Sequence, residues 1–410
     1  MKAYLLIVVV AAVLTYLCVP IVRHIALATN TVAKVRERDS HVMPTPRLGG
    51  VAMFIGFAGA LFLAMQMGYL APAVNVRAGW GVLVGAAGVT LLGILDDIWD
   101  LDWMTKLAGQ VLAAGIMSWM GVQLVSFPIF GLTIGSSRLS LIATILVVVV
   151  AINAVNFVDG LDGLAAGMIG IGGVGLFIYS YSLTRLLGVE SYASLATTVV
   201  AAMVGICIGF LPHNFSPASI FMGDSGAMLL GLLAAASAII ITGQIDPANI
   251  YFRQAFPAFL PIVLPLAVLA IPMADMIMAV FRRLRAHQSP FHPDSKHLHH
   301  RLWHAGRSRT RAVVVMYLWT AIFSLGAASM VLFRMRYVAA MLGAATVLGL
   351  VVTVELLPGL KNWFRSRAGR EWVGRKAAQH QRRTGRQESP EVVPAKLSLH
   401  KEVSHVDPQA

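Results

Sequence analysis

The fold follows from the stretch Leu139-Ser-Leu-Ile-Ala-Thr-Ile-Leu-Val-Val-Val-Val-Ala-Ile-Asn-Ala-Val-Asn-Phe-Val-Asp-Gly-Leu-Asp-Gly163. It opens with an apolar run of about 20 residues, the length that crosses the core of a bilayer as a helix. Asn153, Asn156, Asp159 and Asp162 then recur at every third position, so on a helix they share one polar stripe. The stretch therefore predicts a membrane helix that delivers amides and carboxylates to one side of the membrane.

Apolar runs of this kind recur along the whole chain of 410 residues, which is 57% hydrophobic and only 12% charged. A soluble globular domain carries about 25% charged residues. Because the runs are continuous rather than alternating, they indicate helices and not a β-barrel. We predict an all-α polytopic membrane protein with about 11 transmembrane helices. The predicted spans are 4–22, 48–69, 79–95, 105–125, 139–157, 163–183, 192–212, 224–243, 257–280, 312–333 and 338–357.

The charge distribution predicts the orientation of these helices. The chain has a net charge of +13, which in a membrane protein indicates basic cytoplasmic loops rather than nucleic-acid binding. With the N-terminus outside, 25 of the 32 Lys and Arg lie on the inner side. Of the 19 acidic residues, only Glu190 and Asp246 then fall outside. We therefore predict a transmembrane domain over residues 1–357 and a basic, disordered cytoplasmic tail over residues 358–410.

Carboxylates cluster where the third span ends, at Asp96, Asp97, Asp100 and Asp102. Charged groups next to hydrocarbon are costly, so such a cluster indicates a functional site. Magnesium prefers hard oxygen ligands and usually takes one or two carboxylates together with substrate phosphates. The alternative is a solvated helix end whose acids cap the next helix. The clustering favours a cation site for a phosphorylated substrate.

A second acidic motif, Phe221-Met-Gly-Asp224-Ser-Gly226, opens the eighth span. Asp224 is either a metal ligand or an ordinary N-cap of its helix. Phe221 is placed to stack on a base, although packing is the common role of such a residue. Asn214 lies just before this motif and is a candidate substrate-binding residue. Arg47, in the turn that enters the second span, is a candidate phosphate ligand or a residue that only sets topology.

The long inner loop contains His297-Leu-His299-His300-Arg301. Clustered histidines suggest zinc, but the loop offers no cysteine partner and lacks the usual helical pair of histidines. Histidine and arginine can both donate to diphosphate oxygens, and this interpretation fits the motif better. A merely solvated basic loop remains the alternative.

Taken together and in order, these motifs resemble those of the polyprenyl-phosphate N-acetylhexosamine-1-phosphate transferases over residues 1–357. The His-Leu-His-His form resembles the WecA/TagO branch, which uses UDP-GlcNAc. The resemblance implies transfer of GlcNAc-1-phosphate to undecaprenyl or decaprenyl phosphate with release of UMP, at the cytoplasmic face of the cell membrane. It also implies Mg²⁺ as cofactor, with Mn²⁺ as the alternative, and a homodimer is common for such bundles.

The resemblance further implies roles for individual residues. Asp224 corresponds to a magnesium ligand, Asp96 to the general base, and Asp97 to a group that supports the metal or the acceptor. Asn156, Asp159 and Asp162 form the side that faces the metal and the nucleotide sugar. Phe221 would stack on uracil, and the three histidines would hold the diphosphate or the sugar.

Several alternatives stay open. The MraY-like branch transfers phospho-MurNAc-pentapeptide, but it usually carries three consecutive histidines. The spacing from Asp96 to Asp100 also matches the D-D-x-x-D signature of the UbiA-type intramembrane prenyltransferases. A secondary transporter is the alternative that is not an enzyme, although transport sites usually lie near the bilayer midplane. Frequent Ala, Val, Gly and Arg indicate a GC-rich genome, which favours the arabinogalactan linkage unit as the polymer that begins on the lipid.

Overall fold

The computed structural model describes residues 1–29, 31, 45–124, 136–243, 260–285, 298–306 and 308–357. This part of the chain forms helices joined by short connections. The helices are α1 (Lys2–Ala28), α2 (Gly49–Gln66), α3 (Ala71–Val74), α4 (Arg77–Trp99), α5 (Trp103–Trp119), α6 (Ser137–Val158), α7 (Leu164–Leu187), α8 (Tyr192–Asn214), α9 (Gly223–Gly243), α10 (Leu260–Val268), α11 (Ala270–Arg285), α12 (Leu298–Gly306), α13 (Arg309–Leu332) and α14 (Met335–Leu356).

Nine of these helices, within the described ranges, are long and apolar enough to cross a membrane. Each coincides with one of the predicted spans, so the prediction of an all-α polytopic membrane protein is confirmed. The predicted span 105–125 corresponds to α5, which is shorter, at 17 residues. The predicted tail, residues 358–410, lies outside the described residues.

The predicted span 257–280 differs from the observed structure, which divides its described part into α10 and α11. Pro265 lies inside α10 and Pro272 lies in the first turn of α11. Proline has no N–H to donate and its ring crowds the preceding turn, so two prolines this close disfavour a continuous helix. The short helix α12 follows in the region where the sequence predicted only a loop.

Helices α8 and α9 form the centre of the bundle. Helix α9 is buried over its whole candidate span, and α8 over most of its length. Helices α1, α2 and α7 pack around α8, while α4 and α6 pack against α9. Helix α14, in contrast, leaves most of its apolar surface exposed, as expected for a helix that faces lipid.

The polar motifs meet at one end of this bundle. The N–H of Phe221 donates to Pro46 O, and the N–H groups of Gly49 and Gly50 donate to the carbonyls of Phe221 and Met222. These backbone contacts join the start of α2 to the start of α9. The ends of α4, α6 and α8 and the start of α7 contact the same region through the side chains described below.

Candidate active site

Lys106 lies between two carboxylates that come from distant parts of the chain. Its Nζ is 2.5 Å from Asp96 Oδ2 at the end of α4 and 3.1 Å from Asp224 Oδ2 at the start of α9. The Asp96 side chain is 3% exposed and that of Asp224 is 29% exposed. The Asp224 carboxylate is therefore the one of this pair that is more accessible to a ligand.

The amide stripe of α6 reaches the same carboxylate. Asn156 Nδ2 donates to Asp224 Oδ1 at 2.9 Å, so Asp224 is held by an amide on one oxygen and an ammonium on the other. Asn153, one turn earlier, instead donates to Gln110 Oε1 at 2.8 Å. Asn153 thus makes a contact between helices, whereas Asn156 belongs to the polar site.

Asp97 holds the first turn of α9. Its Oδ1 accepts the N–H of Asp224 at 3.0 Å, and its Oδ2 accepts the N–H and the hydroxyl of Ser225 at 3.2 and 3.0 Å. The first N–H groups of a helix lack partners within the helix, and a negative charge at that end is favourable. Asp97 therefore caps α9 from α4 and fixes the backbone that carries Asp224.

Asp159, which follows the last residue of α6, lies within electrostatic reach of this cluster. Burial raises the pKa of Asp159 to about 7, and the negative charges of Asp224 and Asp97 act in the same direction. The positive charge of Arg47 opposes them and lowers this pKa. Four motifs that are far apart in sequence therefore share one electrostatic environment.

Asn214 joins the loop that carries Asp159 and Asp162 to the segment that precedes α9. Its Oδ1 accepts the N–H of Gly163 at 3.0 Å, and its Nδ2 donates to Ile220 O at 3.0 Å. Asp162 Oδ2 makes a further contact between the same two segments, because it accepts the N–H of Ala218 at 3.3 Å. Asn214 is only 4% exposed. The structure thus gives Asn214 a bracing role, and its predicted contact with substrate stays a prediction.

The remaining predicted residues are placed less completely. Phe221 is fixed through its backbone contacts with the start of α2. Arg301 lies in α12 and is exposed, while His299 and His300 are placed as backbone positions of the same helix. His297 and the side chains of His299 and His300 lie outside the described residues. Their predicted contact with the diphosphate stays a prediction.

Lys106 was missed as a site residue by the sequence analysis, which counted it only as an inner-side charge. Asp102 gives the signal that could have found it. Asp102 caps α5 by accepting the N–H groups of Met104 and Thr105, so α5 begins there and Lys106 lies in its first turn. Capping of the next helix was the alternative predicted for the acidic cluster, and Asp102 has this role.

The carboxylates can be tested for their fit to a divalent cation. Within the described ranges, no three His, Cys, Asp or Glu side chains lie close enough to hold a metal by themselves. Magnesium usually takes one or two protein carboxylates and completes its shell with water and substrate phosphates. Asp224 supplies one such carboxylate, while Asp97, which was predicted to support the metal, uses both of its oxygens to cap α9. The donor set fits magnesium.

Comparison with known proteins identifies the class. The model of glycosyl transferase family 4 matches residues 79–242, the region that holds Asp96, Lys106, Asn156, Asp159 and Asp224. The chain is 42% identical to the decaprenyl-phosphate N-acetylglucosaminephosphotransferase of Mycobacterium tuberculosis strain H37Rv, over 85% of this chain and 87% of that protein. This identity over most of both proteins, together with the match to the family model, shows that the chain belongs to glycosyl transferase family 4.

Two further relatives show the breadth of the similarity. The protein of the same name from Mycolicibacterium smegmatis is 41% identical over 86% of this chain and 87% of its own length. A Bacillus subtilis protein named probable undecaprenyl-phosphate N-acetylglucosaminyl 1-phosphate transferase is 32% identical over 78% of this chain and 82% of its own length.

Proposed function

We propose that this protein transfers GlcNAc-1-phosphate from UDP-GlcNAc to a polyprenyl phosphate, giving polyprenyl-diphospho-GlcNAc and UMP. The names of the mycobacterial relatives support decaprenyl phosphate as the acceptor. The observation that carries the proposal is the contact of Lys106 with both Asp96 and Asp224, with Asn156 on the second oxygen of Asp224. This arrangement offers cationic, amide and carboxylate groups to a diphosphate at the membrane boundary.

The bond changes are those of a phosphoryl transfer. An oxygen of the lipid phosphate attacks the phosphorus that bears the sugar, and the bond from that phosphorus to the oxygen shared with UMP breaks. Such reactions depend on positioning and charge neutralisation more than on covalent help from the protein. We therefore assign direct attack rather than a phosphorylated aspartate.

Each residue then has a defined task. Asp96 accepts the proton of the lipid phosphate, and the neighbouring Lys106 stabilises the resulting negative charge. Asp97 and Asn156 hold Asp224 in place through the contacts described above. Mg²⁺, with Mn²⁺ as the alternative, would be held by Asp224 and would neutralise charge on the diphosphate.

The side of the membrane on which the site lies is proposed from the distribution of basic residues. The inner-side excess of Lys and Arg supports a site at the cytoplasmic face of the cell membrane, where a nucleotide sugar is available. The lipid acceptor would enter from the bilayer and the nucleotide from the cytoplasm.

We further propose that the protein is a homodimer and that the product begins a surface polysaccharide such as the arabinogalactan linkage unit.

A transfer assay on the purified protein tests this function. Decaprenyl phosphate is combined with UDP-GlcNAc or UDP-MurNAc-pentapeptide, with Mg²⁺ or with EDTA, and UMP and lipid product are measured by mass spectrometry. We expect UMP release only with UDP-GlcNAc and only with the cation. Release only with the pentapeptide donor would move the protein to the MraY-like reaction. Diphosphate release, or flux of solute without UMP, would replace the proposal by a prenyltransferase or a transporter.

A further inference from the structure

A carboxylate outside the cluster described above is completely buried in α11. Asp275 has 0% of its surface exposed, in a helix that packs against α6 and α13. A buried carboxylate is costly unless hydrogen bonds satisfy it. Asp275 Oδ1 accepts the N–H of Leu298 at 2.8 Å, a contact across 23 residues of sequence. No individual role was predicted for Asp275, and the proposed reaction does not use it.

The donor is the first residue of the helix that carries the histidine motif. Leu298 opens α12, between His297 and His299. The first N–H groups of a helix have no partner within the helix, and a negative charge at that end stabilises it. Asp275 therefore caps α12 from another helix, as Asp97 caps α9.

The apolar side of α12 packs against a buried cluster that α6, α7, α11 and α13 share. Leu298, Leu302 and Trp303 pack against a buried cluster that includes Val158 and Leu161, the neighbours of Asp159 and Asp162. At the other end of α12, the guanidinium of Arg309 lies 4.8 Å from the ring of Trp303. The short helix is thus fixed at its first residue, along its apolar side and near its last turn.

We propose that Asp275 is the positioning residue that places α12, and with it the basic motif at 299–301, against the loop 159–163. This inference rests on the proposed function, because the ligand of that motif would be the diphosphate of the nucleotide sugar. Asp275 is a positioning residue that acts through the backbone of Leu298.

Hydrogen exchange of the full-length protein tests the placement without any substrate. Asp275→Ala should speed exchange in peptides covering 298–306 by about tenfold or more, because the cap that holds the first turn is lost. Asp275→Asn keeps an oxygen that can accept the same N–H and should restore most of the protection. Ser324→Ala is the matched control, since it removes a buried hydrogen bond between α13 and Gly172 and should leave 298–306 unchanged.

Kinetics test the link to the substrate. In Asp275→Ala, the KM for UDP-GlcNAc should rise about tenfold with a much smaller change in kcat, the pattern for loss of binding rather than of chemistry. Asp275→Asn should lie near the wild type. An equal fall of kcat in Asp275→Ala, Asp275→Asn and Ser324→Ala would show a general structural effect and overturn the proposal.

The donor side gives a second set of variants in case Asp275→Ala does not fold. Leu298→Pro removes the N–H at a position where helices accept proline, and Leu298→Ala removes only the side chain. Leu298→Pro should raise the KM more than Leu298→Ala. Protection of 298–306 that is unchanged in Asp275→Ala, or in Leu298→Pro relative to Leu298→Ala, would overturn the proposal. Absence of UMP release from the wild type would remove the proposed function, while the exchange data would still decide the role of Asp275.

Discussion

At the scale of single residues, the centre of the site is a shared ammonium. The ammonium of Lys106 lies between Asp96 and Asp224 and reduces the repulsion between the two carboxylates. Removing the charge of Lys106 is expected to be costly because it leaves the buried carboxylate of Asp96 uncompensated. A substitution at Lys106, Asp96 or Asp224 is therefore expected to change both the local charge balance and the proposed reaction.

Replacing the carboxylate of Asp96 or Asp224 by an amide tests the proposed role of each residue in the reaction. Asp96→Asn and Asp224→Asn preserve shape but remove the charge, so we expect kcat/KM to fall on the order of 100-fold or more. The exposed Asp100, in the same motif, is the matched control, and Asp100→Asn should stay near the wild type. UMP release is measured, with size-exclusion elution as the check on folding. Near-normal turnover in both amide variants would contradict the assignments of base and metal ligand.

At the scale of helices, glycines of α2 and α4 pack closely against the start of α9. A Cβ on Gly93 of α4 would lie 2.3 Å from Ser225 Cα, and one on Gly50 of α2 would lie 2.1 Å from Gly226 N. Both obstacles are backbone atoms, so side-chain movement cannot relieve them. The close approach lets Asp97 of α4 reach the N–H groups of α9.

Adding a single methyl group tests this packing. Gly93→Ala should lower the thermal midpoint and the activity, since overpacking a tight contact typically costs about 1–3 kcal/mol. Gly343→Ala in α14 is the control, because a Cβ there meets nothing within 4 Å. That change should be neutral or slightly stabilising, since alanine favours a helix by up to about 1 kcal/mol over glycine. Equal melting temperatures for the two variants in detergent would contradict the packing argument.

At the scale of the whole molecule, the described helices bring every placed acidic motif to one end of the bundle. The contacts of Lys106, Asn156 and Asp97 with the start of α9, and of Asn214 with Gly163, establish this convergence. The charge distribution predicts that this end faces the cytoplasm.

Chemical labelling of intact cells tests the orientation. In a background with Cys18 and Cys207 replaced by alanine, a membrane-impermeant maleimide should label Glu190→Cys at once. Ala28→Cys, at the end of α1, should react only after the cells are made permeable. Both positions are exposed, so access to the reagent decides the result. The reverse pattern would invert the proposed topology.

Shortening the chain tests the predicted domain boundary. A protein that ends near residue 365 should insert and turn over UDP-GlcNAc at a rate within about threefold of the full chain, because a polar, basic tail buries too little apolar surface to form a fixed part of a site. Membrane-fraction yield and UMP release are compared for both lengths. A properly inserted but inactive short protein would contradict the boundary.

Composition and hydropathy along the chain are enough to predict the membrane class and most of the spans, because crossing a bilayer requires a run of about 20 apolar residues. The sequence also predicts Asp96 and Asp224 as site residues, because carboxylates next to apolar spans are costly and therefore indicate a function. Only the tertiary structure showed the partners of these groups: Lys106 between two carboxylates, Asp97 and Asp275 as caps of other helices, and Asn214 as a brace. These contacts join residues that are 23 to 128 positions apart in every case but Lys106–Asp96 and the 6-residue contact of Asn214 with Ile220. Helix packing decides such pairs, and neither periodicity nor composition encodes which distant helix ends will meet.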